Sequence, residues 1–258
     1  MEDILQTIVA HKRREVALHI AHTPLETMRA RAEAVDRPTV SMSRALKASS
    51  TGIIAEFKRR SPSKGWIARY AHPSDVAAAY ERSGATAMSI LTDGEFFGGG
   101  VADLTAARAV TTLPLLRKEF IVHEYQIYEA RAVGADAVLL IASVLTPEEC
   151  RHLTDTAHAL GLETLLEIHS ADEIGHILPD TDMIGVNNRH LGTFHTDTEV
   201  SFTMADKLPH DRVLVSESGI SSAETIRRLR EAGFAGFLIG ETFMKCEDPS
   251  QALRQLIA

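Results

Sequence analysis

Charged or amide side chains stand where short apolar runs give way to loops. Glu56 and Lys58 close Ile53-Ile54-Ala55-Glu56-Phe57-Lys58, and Lys118 closes Leu115-Leu116-Arg117-Lys118. Glu167, Asn187 and Glu217 end Leu165-Leu166-Glu167, Ile184-Gly185-Val186-Asn187 and Val213-Leu214-Val215-Ser216-Glu217. Desolvating an unpaired charge is costly, so acids and lysines seldom end buried strands without a use. Side chains alternate along a strand, which points Glu56 and Lys58 the same way and sets Lys118, Glu167 and Glu217 above Leu116, Leu165 and Val215. Two lysines and three glutamates gathered at one mouth would shift one another's pKa values. One site can then hold a proton donor and a proton acceptor at neutral pH.

Two further stretches suit an anion. Ser216-Glu217-Ser218-Gly219-Ile220-Ser221-Ser222 and Ile239-Gly240-Glu241-Thr242 place glycines where backbone N–H groups can approach a phosphate, each followed by a helix start. Lys58-Arg59-Arg60-Ser61-Pro62-Ser63-Lys64-Gly65 adds cations and hydroxyls, of which Arg60 and Lys64 read as solvated. Glu95-Phe96-Phe97-Gly98-Gly99-Gly100 and Phe120 either wall an aromatic ligand or tuck against the rim of the fold.

The elements that must position these groups recur. Apolar runs at Gly52–Phe57, Ala87–Leu91, Leu113–Leu116, Ala137–Ile141, Glu163–Ile168, Met183–Val186, Val213–Ser216 and Gly236–Ile239 start 20 to 35 residues apart. Each is too short for a helix, and most are apolar on both parities, as strands covered on both faces should be. Helix signals fill the gaps: Pro73–Glu81 before Gly84, Glu124–Val133 before Gly134, Thr146-Pro147-Glu148-Glu149 opening a helix to Gly161, and Ser222–Glu231 before Gly233. Eight strand–helix units with right-handed crossovers close most simply into a (β/α)8 TIM barrel, with a doubly wound open sheet as the competitor. The first 45 residues stand outside this rhythm. Ile4, Leu5, Ile8, Val9 and Val16 around His11-Lys12-Arg13-Arg14-Glu15 predict an amphipathic helix, and Pro24 and Pro38 bracket a shorter one. This N-terminal helical extension either closes one mouth of the barrel or acts as a lid that contributes to binding. With no linker in view, residues 1–258 read as a single barrel domain with 1–45 as its extension.

Composition bounds the function. The 258 residues are 45% hydrophobic and 24% charged with a formal charge of −8, which suits a soluble protein and disfavours nucleic acid as a partner. Met1-Glu2-Asp3-Ile4-Leu5 shows no signal peptide and no run reaches the roughly 18 residues of a membrane span, so a cytoplasmic protein is expected. Cys150 and Cys246 read as reduced bystanders. The 12 histidines lack the spacing of a zinc site, so neither metal nor cofactor is expected. Ser218 lacks the Gly-x-Ser-x-Gly setting of a hydrolase nucleophile.

At this point the residues resemble a known family. Ile54-Ala55-Glu56-Phe57-Lys58-Arg59-Arg60-Ser61-Pro62-Ser63-Lys64-Gly65 is similar to the first-strand signature of indole-3-glycerol phosphate synthase. The similarity continues in order through Ser89-Ile90-Leu91-Thr92-Asp93, Phe96-Phe97-Gly98-Gly99 and Leu116-Arg117-Lys118-Glu119-Phe120-Ile121. It resumes in Leu166-Glu167-Ile168-His169, Ile184-Gly185-Val186-Asn187-Asn188-Arg189, Ser216-Glu217-Ser218-Gly219-Ile220 and Leu238-Ile239-Gly240-Glu241. The resemblance implies a lyase that converts a carboxyphenylamino-deoxyribulose 5-phosphate to indole-3-glycerol phosphate, carbon dioxide and water, acting as a monomer or weak homodimer. It implies Lys118 as general acid, with Glu167, Lys58 and Glu56 as candidates for the dehydration and Asn187 and Glu217 as orienting groups. Ser61, Arg189, Ser218, Gly219, Gly240 and Glu241 match the phosphate region, and Phe97, Phe120 and Leu191 the apolar housing for the anthranilate ring. Two departures touch loops alone: Gly100 stands where serine is expected, and Thr193-Phe194-His195 carries a histidine where an acid is common. A barrel isomerase of phosphorylated ribosyl anthranilate and a non-catalytic binding subunit are the alternatives. The isomerase is expected to use a cysteine and an aspartate instead of the Glu56–Lys58 pair and Lys118.

Overall fold

The structure, a computed structural model, describes residues 4–190, 192 and 195–258. Eight parallel strands form a closed barrel: β1 (Ile53–Phe57), β2 (Ala87–Leu91), β3 (Leu115–Lys118), β4 (Ala137–Ile141), β5 (Glu163–Ile168), β6 (Met183–Asn187), β7 (Val213–Glu217) and β8 (Phe234–Ile239). Each pairs with its neighbour in sequence, and β8 returns to β1 through Ile53↔Phe237, Ile54↔Leu238 and Ala55↔Ile239. That last ladder excludes the open doubly wound sheet, which would leave both edge strands unpaired.

The side-chain period of two divides the core as expected. Ile53, Ala55 and Phe57 face the helices, whereas Ile54, Leu116, Leu139, Leu165, Val215 and Leu238 pack inside the barrel. The helices between strands begin and end on the anticipated signals. Thr146 and Glu149 form a reciprocal capping box at the start of the Pro147–Ala159 helix. Gly84, Gly134 and Gly233 all take positive φ at the turns into β2, β4 and β8.

Four local features depart from the sequence reading. The third run starts at Leu115 instead of Leu113, because Pro114 has no N–H to give the ladder and serves only as an acceptor for Met88. The eighth strand starts earlier, at Phe234, with a register shift between Phe234 and Gly236. After β5 the crossover carries only a 3₁₀ turn, Ala171–His176. The loop after β1 folds into a small antiparallel hairpin, Arg60–Ser61 with Gly65–Trp66.

The N-terminal segment forms α1 (Ile4–His22), α2 (Leu25–Glu33) and α3 (Met42–Ala48). Val16 of α1 and Met28 of α2 pack with Tyr125 on the helix Glu124–Val133 that follows β3, along the barrel's flank. Helix α3 goes underneath: Met42 and Leu46 are fully buried among the inward residues of the strands. A side chain at Gly236 would meet Val215 at 2.9 Å and Leu46 at 3.2 Å, so the missing Cβ is what lets α3 seat there. The N-terminal end of α1 reaches the opposite mouth, where Ile4, Leu5 and Ile8 line a cavity. The extension therefore packs α3 against the floor at one mouth and places the start of α1 on the cavity at the other.

This seating has a measurable consequence. Leu46→Ala empties a fully enclosed site at the barrel floor and should cost about 2–5 kcal/mol in urea unfolding, with native circular dichroism retained.

Candidate active site

The cavity at the C-terminal ends of the strands has a volume of about 590 Å³, and Glu56, Lys58, Lys118, Glu167, Asn187 and Glu217 all line it. The register explains how residues so far apart in sequence meet. Leu91 pairs with Lys118, Ile141 with Glu167 and Asn187 with Glu217, so the strand-end positions stand at one level around the mouth. Two glycines make room beneath them. A Cβ at Gly185 would lie 2.2 Å from Glu217 Oε1, and one at Gly240 would lie 2.1 Å from Glu56 Oε1.

The charges sort into two ion-paired groups. Lys118 Nζ lies 2.8 Å from Glu167 Oε2 and 2.5 Å from Glu217 Oε2. Lys58 Nζ lies 2.6 Å from Glu56 Oε1. Burial works against the charge on Lys118, but Glu167, Glu217 and Glu56 outweigh it and hold the ammonium above its ordinary pKa. Burial also opposes ionisation of both carboxyls. For Glu167 the attraction of Lys118 and His169 wins and holds it well below the usual carboxylate range. For Glu217 burial and the charge on Glu167 prevail over Lys118, and the carboxyl is pushed up to about 7. One acid is thus firmly ionised, its neighbour takes up a proton more readily than an ordinary carboxylate, and an ammonium lies between them. Asn187 ties the group together: its side chain bonds to Glu167 and its Oδ1 accepts the Arg189 N–H at 3.0 Å.

One end of the cavity is polar. Ser61, Ser218, Gly219, Gly240, Arg189 and Glu241 line it with Lys64. Ser218 takes the left-handed φ of 68° that side chains disfavour, and Gly219 follows at 78°. Asn188 Nδ2 holds this turn by donating to the Ser218 carbonyl at 3.0 Å. Arg189 donates to Ser63 Oγ at 3.1 Å and to Glu241 Oε2 at 3.2 Å. Glu241 would repel a phosphate if it touched one, so it belongs here as the partner that orients Arg189. Lys64, read from sequence as merely solvated, reaches this end of the cavity, with its ammonium 4.0 Å from Glu241. Arg60 donates instead to the Glu95 carbonyl at 2.9 Å.

The other end is apolar. Phe97 and Phe120 line it with ring centroids 6.0 Å apart, beside Leu139, Ile141 and the α1 residues Ile4, Leu5 and Ile8. Leu191, Thr193 and Phe194 lie outside the described residues. His195 is described and does not line the cavity. Among the described residues no group of histidine, cysteine and carboxylate side chains is placed to hold a metal ion.

Sequence reasoning missed two supports. His169 approaches Glu167 Oε1 at 3.4 Å and Glu173 Oε2 at 3.7 Å, and these carboxylates raise its pKa against the effect of burial. It sits two residues beyond Glu167 on the same strand parity, which was a legible signal. Lys12 of α1 is buried against Asp93 and Glu119 below the aromatic end. The spacing of four that links Ile8, Lys12 and Val16 places this lysine on the helix's apolar stripe, which was a signal as well.

The family described as Indole-3-glycerol phosphate synthase matches residues 5–256. The chain is 54% identical over 257 residues to a protein of that name from Bacteroides thetaiotaomicron, covering 100% of this chain and 98% of the relative. It is 45% identical over 259 residues to another from Burkholderia cenocepacia, covering 99% of each. Among solved structures, the N-acetylmannosamine-6-phosphate 2-epimerase of Clostridium perfringens aligns with a TM-score of 0.61 at 14% identity, over 86% of this chain and 97% of that one. Tryptophan synthase subunit alpha of Legionella pneumophila aligns with a TM-score of 0.60 at 14% identity, over 84% and 95%. Likeness at that identity speaks to the barrel fold alone.

The charge arrangement makes a prediction that needs no substrate. Lys118→Met leaves Glu167 and Glu217 buried together without their cation, so their pKa values rise and ionising both becomes costly. A carboxyl with a raised folded-state pKa destabilises the fold as pH climbs above its unfolded value. The melting-temperature deficit of Lys118→Met should therefore be large near about pH 8 and shrink towards about pH 5. A deficit independent of pH would contradict the assigned coupling.

Proposed function

This chain belongs to the indole-3-glycerol phosphate synthase family, and from that membership and the two-ended cavity we propose how its own residues carry the reaction. The activity is the ring closure of 1-(2-carboxyphenylamino)-1-deoxy-D-ribulose 5-phosphate, with loss of carbon dioxide and water, to give indole-3-glycerol phosphate in tryptophan biosynthesis. The chain is thus a carboxy-lyase acting on a phosphorylated small molecule. One observation supports the assignment of roles: the Lys118 ammonium, gripped by Glu167 and Glu217, shares one cavity with the polar Ser61, Arg189, Ser218 and Gly219 and with the apolar Phe97 and Phe120.

In this reading the phosphate is bound by Arg189, Ser61 and the backbone at Ser218, Gly219 and Gly240, with Glu241 holding Arg189 in place. The anthranilate ring lies against Phe97 and Phe120, and Leu191 is proposed to complete its housing. Stretched between these anchors, the substrate brings its ketone carbon and the carboxyl-bearing ring carbon together, which removes much of the entropic cost of closure. As the ring carbon attacks, the C–C bond forms and the ketone oxygen takes a proton from Lys118 Nζ. The carboxylate then leaves as carbon dioxide, and its bonding pair restores the aromatic ring.

The new hydroxyl must next leave as water, with a proton lost from the neighbouring carbon. That step needs a second donor and a base. Lys58, paired with Glu56, and the ionised Glu167 are the groups within the cavity suited to it. Asn187 and Glu217 orient Lys118 and the substrate hydroxyls.

The chain's setting completes the proposal. No described helix is long and apolar enough to cross a membrane, which supports a cytoplasmic enzyme. We take residues 1–258 as one domain with 1–45 as its extension, supported by the burial of α3 inside the barrel floor. The assembly we propose is a monomer or weak homodimer.

Purified protein given the synthetic substrate should develop indole fluorescence. Lys118→Ala should lower kcat by about 10²–10⁴-fold with circular dichroism unchanged. Undiminished turnover in that variant would remove Lys118 from its role.

A further inference from the structure

A lysine buried in the middle of an amphipathic helix calls for a reason. Lys12 is 1% exposed, between Ile8 and Val16 on the inner face of α1. Its ammonium lies 2.9 Å from Asp93 Oδ2, 3.1 Å from Glu119 Oε1 and 2.9 Å from Glu15 Oε1. Docking alone would be achieved at lower cost by a leucine, because burying an ion pair gains little over packing an apolar side chain of similar volume. What distinguishes this site is what the two carboxylates do with their other bonds.

Asp93 and Glu119 stand just beyond β2 and β3, and each holds the backbone of a residue in the aromatic wall. Asp93 Oδ1 accepts the N–H groups of Phe96 and Phe97 at 2.7 and 3.2 Å. Glu119 Oε1 accepts the N–H of Phe120 at 2.9 Å, and Oε2 accepts Thr92 Oγ1 at 2.8 Å. A single ammonium is therefore fastened beneath both loops that carry the facing rings. The same helix, one turn earlier, sends Ile8 into the cavity, with Leu5 and Ile4 beyond it. His11, next to Lys12, meets the Phe96 ring edge-on at 5.5 Å.

Removing the cation would take away the ammonium that faces Asp93 and leave Glu119 with Arg117, 3.9 Å from its Oε2, so the two buried carboxylates would be driven to find a proton or a new partner. Either response disturbs the backbone bonds that set the angle of Phe97 and Phe120. It would also release the helix that supplies the third wall.

We propose that Lys12 is a positioning residue for the ring-binding end of the site, joining α1 and the Phe97 and Phe120 loops into one preformed wall that selects a substrate bearing an aryl group. The inference rests on assigning that end of the cavity to the substrate's aromatic ring. It places part of the enzyme's specificity in the N-terminal helix, away from the proton-transfer groups.

The test compares binding of two probes by calorimetry: the ketone-reduced substrate, which carries the aryl ring but has no ketone to attack, and ribulose 5-phosphate, which lacks the ring. Full-length wild type, Lys12→Met and Lys12→Met with Glu119→Gln are compared, alongside Lys12→Arg as the charge-conserving variant. The double variant removes the surplus buried charge and keeps the fold available should the single one unfold. We expect the Kd of the aryl probe to rise about 10-fold or more in both Lys12→Met backgrounds. The Kd of ribulose 5-phosphate should stay within about twofold. Lys12→Arg should recover part of the loss.

Equal weakening of both probes, or no weakening of the aryl probe in the double variant, would reduce Lys12 to a structural ion pair. Because the readout is binding, wild-type protein that holds both probes yet never turns over the substrate would sink the lyase reading and leave this one standing.

Discussion

The structure depends on one arrangement: the Lys118 ammonium held between Glu167 and Glu217 at the mouth of the barrel. Two carboxylates this close and this buried would not both stay ionised without the lysine, and the lysine would not stay charged without them. Much of the nearby sequence accommodates that triad. Gly185 leaves space for Glu217, Asn187 bonds to Glu167, and the His169 ring lies 3.4 Å from Glu167 Oε1. The apolar layer of Leu116, Leu165 and Val215 beneath keeps the group at the mouth and out of the core. The barrel fixes the geometry because its register, once closed, sets these strand ends at one level.

The cavity around the triad is polarised, and its polarity follows the order of the strands. Loops after β6, β7 and β8 supply hydroxyls, glycines and Arg189. Loops after β2 and β3 supply Phe97 and Phe120. In the proposed binding mode the phosphate takes the first of these ends and the aromatic ring the second, which would put the middle of the substrate's chain beside the ammonium. The N-terminal extension completes the enclosure at both mouths, α3 beneath the apolar layer and α1 against the aromatic end.

Much of this was legible in the sequence because the signals were local. A charge ending an apolar run identifies an inward strand end from parity alone, and every proposed proton-transfer residue was found that way. All eight strands followed from short apolar runs, with ends displaced by two residues at most. The third starts two residues late because Pro114 cannot join a ladder. What stayed hidden was pairing between distant segments. Lys12 stood within the charged run His11-Lys12-Arg13-Arg14-Glu15 of an amphipathic helix, and only the spacing of four with Ile8 and Val16 set it apart. Its partners Asp93 and Glu119 are buried by folding, so their role depends on contacts that no local pattern encodes. The twofold part played by residues 1–45 was equally out of reach, since an amphipathic stripe does not say which end of a barrel it covers.

The central claim is that Lys118 faces the substrate's ketone oxygen while phosphate and ring are held at opposite ends. A crystal structure with the ketone-reduced substrate bound tests it most directly. Lys118 Nζ should lie at about 3 Å from the reduced carbon's hydroxyl oxygen, with the phosphate against Arg189 and Gly219 and the ring between Phe97 and Phe120. A ligand bound the other way round, or one whose hydroxyl lies beside Lys58 with Lys118 still closed on its two glutamates, would contradict it.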